Sequence, residues 1–103
     1  MLTQPQKDFP YISVFKVSTG EEMICKVVGE LPMAWLIEQP LCMVSTQKGM
    51  QFAPFLMMAD PKKALPLNKA SVLVKTDPVA ELEGQYESVT TGIALPQKGS
   101  IIK

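Results

Sequence analysis

The chain has 103 residues, in which ten lysines balance ten acidic residues, with no arginine, no histidine and two cysteines. Without histidine no Ser-His or Cys-His catalytic arrangement can form and the commonest base near neutral pH is missing, so no enzyme chemistry is readable. Zero net charge and no arginine leave no overall field to draw nucleic acid or an anionic membrane, and two separated cysteines argue against a structural zinc site.

A chain that is 47% hydrophobic can bury one core, and a single domain over residues 1–103 is expected. No apolar run approaches the roughly 20 residues that span a bilayer, and the opening MLTQPQKDFPY lacks the basic and apolar parts of a signal peptide. A soluble, cytoplasmic chain follows as an expectation, with Cys25 and Cys42 as reduced thiols among apolar neighbours.

Residues 1–10 read as an N-terminal arm, polar and interrupted by two prolines. From Tyr11 to Val17 apolar residues recur with a period near two, which predicts a strand; Ser18-Thr19-Gly20-Glu21 supplies a hairpin turn, and Glu22 to Val28 returns as a second strand. A third extended run covers Trp35 to Ser45, where Pro40 implies an edge or a bulge. Gln47-Lys48-Gly49 closes another hairpin, and Met50 to Ala59 is read as a fourth strand whose Pro54 lies near the same bend as Pro40. Asp60 to Lys63 is a loop and Leu65-Pro66-Leu67 a short irregular bridge. Ser71 to Lys75 is the fifth strand, rich in β-formers.

Residues 77–92 predict a helix, with Asp77 as cap and Pro78 at its first position. Val79, Leu82, Tyr86, Val89 and Ile93 form an apolar stripe, Gly92 can end the helix, and residues 93–103 form a tail. Gly84 inside the helix costs about 1 kcal/mol relative to alanine, so this helix depends on packing. The six glycines are scattered singly and make no phosphate-cradling loop, so neither a cofactor nor a small-molecule substrate is inferred.

Adjacent Glu21 and Glu22 solvate a hairpin end rather than perform acid-base work, and Lys62-Lys63 with Lys69 reads first as a solvated basic surface. Trp35 either buries against the core or stacks on a base at a strand edge. Met43, Met50, Met57 and Met58, with Phe52, Phe55 and Leu56, place more apolar surface on the third and fourth strands than a monomer easily hides. Met57 and Met58, adjacent on a strand, would point to opposite faces, and one helix cannot cover both. Self-association is the physical expectation.

Two segments carry a family resemblance. Val17-Ser18-Thr19-Gly20-Glu21-Glu22-Met23-Ile24-Cys25-Lys26-Val27 is similar to the first Sm motif, with Cys25 where glycine often stands; Leu67-Asn68-Lys69-Ala70-Ser71-Val72-Leu73-Val74 is similar to the second, with Asn68 and Lys69 in place of arginine and glycine. The chain thus resembles the Sm-like family over about residues 11–76. The resemblance implies a mostly β fold: a five-stranded, strongly bent Sm-like (SH3-like) small barrel over residues 11–76, here with a short C-terminal α-helix. It further implies a homo-oligomeric ring of about five to seven subunits, joined through edge strands that hold Phe55, Leu56, Met57, Met58, Val72 and Val74. RNA, the ligand of typical members, would meet Trp35, Asn68 and Lys69 near the pore. The family's aspartate and asparagine have no counterpart in Gly29-Glu30-Leu31-Pro32-Met33-Ala34-Trp35-Leu36. The compact, Met-rich character also resembles products of bacteriophage genomes, which would place the protein in a host cytoplasm. The alternative is a phage structural or scaffolding oligomer with no nucleic-acid partner.

Overall fold

The computed structural model describes residues 8–60 and 62–91. Alternating apolar residues over Tyr11–Val17 and Glu22–Glu30 form β1 and β2, an antiparallel hairpin in register from Tyr11 opposite Val27 to Lys16 opposite Glu22. The turn forms where Gly20 takes a φ of +95°, a region that side chains with a Cβ disfavour. The Gly20 amide donates to the Val17 carbonyl at 2.8 Å and the Val17 amide to the Glu21 carbonyl at 2.9 Å.

The long strand β3 (Ala34–Thr46) follows, and the Gln47-Lys48 turn returns the chain as β4 (Gly49–Pro54). The bend in β3 sits at its proline. Lys26 faces Glu38 and Ile24 faces Leu41, so Gln39 and Pro40 together oppose the single residue Cys25. This is a β-bulge, and Gln39 adopts a φ of +53° there. Pro54 lies opposite Leu41, and the Phe55 amide donates to the Pro40 carbonyl at 2.9 Å, so the two prolines share one bend.

Here the chain departs from expectation. The fourth strand ends at Pro54, and Phe55 to Ala59 turn away, so Met57 and Met58 are not strand neighbours on opposite faces. The expected bridge is itself a strand, β5 (Leu65–Asn68), paired with Ala34–Ile37 of β3. A one-turn 3-10 helix (Lys69–Ser71) leads from it into β6 (Val72–Thr76), which pairs with β1. Among the described residues the strands therefore number six rather than five, all antiparallel in one sheet of order β4-β3-β2-β1-β6, with β5 on β3. Among the described residues no ladder closes this sheet. The 3-10 turn instead reaches both sides: the Lys69 amide donates to the Met33 carbonyl at 2.9 Å, and Ser18 donates to the Ser71 carbonyl at 2.8 Å.

The helix α1 (Ala80–Thr91) begins later than Asp77-Pro78 suggests, its first turn closing from the Glu83 amide to the Val79 carbonyl. Val79 and Val89 of the expected stripe are exposed, and only Tyr86 is fully buried. Residues 1–7 of the arm, Gly92 as helix stop, Ile93 and the tail lie outside the described residues.

One face of the sheet carries the core of Phe15, Val17, Met23, Cys25, Val27 and Ile37, against which Trp35, Phe55, Leu65 and Val72 pack. The buried Ser13 hydroxyl on that face donates to the Thr76 carbonyl at 3.1 Å, leaving no orphan donor. The other face holds buried Ile24 and, around it, Val14, Leu41 and Phe52, with Leu82 of α1 above. The Tyr86 hydroxyl donates to the Gln39 carbonyl at 2.7 Å, with the Glu38 carbonyl 3.2 Å away, and the Gln39 side-chain amide donates to the Thr90 carbonyl at 3.3 Å. The bulge is thus the clasp that holds the helix.

Candidate functional site

Trp35 stands second in β3, opposite Leu67 of β5, and Ala34 faces Asn68, so the register brings all three residues expected at an RNA contact to one end of the sheet. Their side chains are already engaged. The Asn68 carboxamide oxygen accepts from the Ala70 amide at 2.9 Å and caps the 3-10 turn. Lys69 holds its ammonium 4.5 Å from the centroid of the Trp35 ring while pairing with the Glu30 carboxylate. Trp35 meets Phe15 of the core at 6.1 Å, so it serves both core and surface.

Sequence reasoning missed two members of this cluster. Lys75 places its ammonium 4.9 Å from the Trp35 ring and 4.8 Å from the Tyr11 ring, which in turn stacks on Phe9 at 5.8 Å. The pairing of Lys75 with Phe15 puts the two on one face, a register that no local pattern in the sequence announces. Glu30, the second, neutralises Lys69. A base stacking on Trp35 would have to displace an ammonium from its ring.

The six residues expected at an oligomer interface divide. Phe55 and Val72 are half-buried against the core. Leu56, Met57 and Met58 are exposed on the turn after β4, Met57 at 80% and Met58 at 99%. Val74, at 52%, is exposed on β6, and beside it Leu73, which the sequence reading passed over, is 63% exposed. Leu73 is the extra residue of a second bulge, lying between the pairs Lys16 with Val74 and Val17 with Val72. Exposed apolar residues thus occur on β4 (Met50), on the turn after it and on β6, and also at Leu31, Met33, Val79 and Val89 elsewhere on the surface.

Beside the end of β4 lies an apolar pocket of about 310 Å³, walled by Pro40, Leu41, Pro54, Leu56, Met57 and Val89. The clusters offer little acid-base chemistry. Burial pushes the Cys25 thiol up to about 12, against partial relief from Lys75, so it stays protonated and inert near neutral pH. Burial likewise pushes Tyr86 well above the ordinary tyrosine value. Among the described residues no group of three or more metal-ligating side chains could hold a metal ion, and no helix is long and apolar enough to cross a membrane.

No protein-family model matches the chain, and no curated protein matches it significantly.

Proposed function

We propose that the protein is a self-assembling module, an Sm-like (SH3-like) small barrel whose copies join through edge strands into a ring of about five to seven subunits. The observation that carries this reading is that β4 and β6, at the two ends of the main strand order, each keep one edge without a partner strand among the described residues and bear exposed apolar side chains such as Met50 and Val74. An unpaired strand edge is a template for another chain, and monomers usually blunt it. The barrel reading draws support from the 3-10 turn that links β5, on β3, to β6, on β1, and carries the sheet's curvature round.

The version without a nucleic-acid partner, a structural or scaffolding oligomer, is favoured by the pairing of Lys69 with Glu30 and by the lysines over Trp35. Light scattering behind a sizing column, with and without a fluorescent uridine-rich oligonucleotide at low and high salt, tests both parts. A discrete multimer that leaves the oligonucleotide behind is the expected result. Co-migration lost at high salt and lost in Lys69→Glu would instead make RNA the partner. A clean monomer at all concentrations would end the assembly reading.

A further inference from the structure

We infer that the subunits join head to tail, with Leu73 of one copy seated in the pocket beside β4 of the next; this rests on the assembly reading above. Knob and hole lie on different parts of one chain. Leu73 is the side chain that the β6 bulge adds to an open edge, and the pocket opens at Pro54, where the opposite open edge ends. Every ladder in this sheet is antiparallel, and if β4 takes β6 of a second copy in the same sense, strand start faces strand end. Leu73, second in β6, then falls opposite the Pro54 end of β4 and beside the pocket.

Size agrees with that occupant. A cavity of roughly 150 Å³ lined by aliphatic residues admits a benzene-sized group, and about 310 Å³ takes a leucine side chain with room for part of its neighbour. Of the helix's glutamates only Glu81 lines the groove along β4, Glu83 and Glu87 lying on the opposite flank beside Lys26, and the pocket's own lining includes both Asp60 and Lys63. A patch complementary to a pocket elsewhere on the same molecule makes a heterologous contact, which closes into a ring or runs on as a filament. Main-chain pairing along the edges would supply affinity and the pocket would supply register.

The test uses two variants at exposed positions, Leu73→Glu, which keeps the hole, and Leu56→Glu, which keeps the knob. Each alone should associate at least about tenfold more weakly than the parent chain. Mixed in equal amounts, they should form a heterodimer and nothing larger, since only one competent contact remains. If the parent chain is a multimer but either variant keeps its full mass, or the mixture shows no heterodimer, the knob-and-hole contact is wrong while assembly stands. A parent chain that is itself monomeric removes both. Circular dichroism melts of the two variants check that each remains folded.

Discussion

The two faces of the sheet are built on different principles. On the inner face Phe15, Cys25 and Val27 are fully buried, and apolar burial alone fixes their positions. On the outer face α1 is held mainly at the bulge, where the Tyr86 hydroxyl reaches the Gln39 and Glu38 carbonyls and the Gln39 side chain reaches the Thr90 carbonyl, and grooves of about 630 and 820 Å³ run along its flanks. A 12-residue helix with a central glycine is marginal by itself, so its docking is local and polar where the core is distributed and apolar. The inner face should therefore fail all at once, and the outer face by the loss of the few contacts at the bulge.

The largest effect expected is from Phe15→Ala, which should cost roughly 3 to 5 kcal/mol and lower the urea midpoint of the whole domain in one transition. A loss under about 1 kcal/mol would show that the core is not the dominant anchor. Next comes alkali, which acts on both faces. Cys25 holds its proton to about 12 in the fold against 9.0 when free, and Tyr86 holds its own well above 10.0, both chiefly through burial. Both contributions are complete below the free values and are lost as pH rises through them towards the folded values. The urea midpoint should fall from about pH 9 upward, and Cys25→Ala should leave only the Tyr86 part, beginning about one unit higher. A midpoint unchanged through that range would remove the claim that these protons are held by the fold.

Smallest is Tyr86→Phe, at about 1 to 2 kcal/mol for a lost buried hydrogen bond. Hydrogen exchange should speed in α1 while β1 and β2 keep their protection. Equal loosening throughout would break the comparison, because the helix would then belong to the same cooperative unit as the core.

What could be read from the sequence was what depends on neighbours in the chain. Alternation with Gly20 placed β1 and β2, and Pro40 announced the bulge because it cannot donate to a ladder. Leu65-Pro66-Leu67-Asn68 gave no such signal, being short and carrying a proline, and only pairing with β3 makes it a strand. The apolar run Phe55 to Met58 reads as strand by composition, yet it turns at the bend shared by Pro40 and Pro54. Trp35, Asn68 and Lys69 were legible as one cluster. Lys75 and Glu30 were not, since Lys75 depends on the register of β6 against the distant β1, and Glu30 enters through its ion pair with Lys69, 39 residues away.

The pairing of Val14 with Thr76 sets an order of events for a chain as it is synthesised. Strands β1 to β4 are joined by short turns and can pair as soon as each hairpin is complete, whereas β6 closes a long loop and comes last. One side of β1 thus waits, unpaired, until the ribosome has passed Thr76. Anything that slows translation between Val17 and Val72 lengthens the interval in which that side of β1 can take a strand from a neighbouring nascent chain instead of its own.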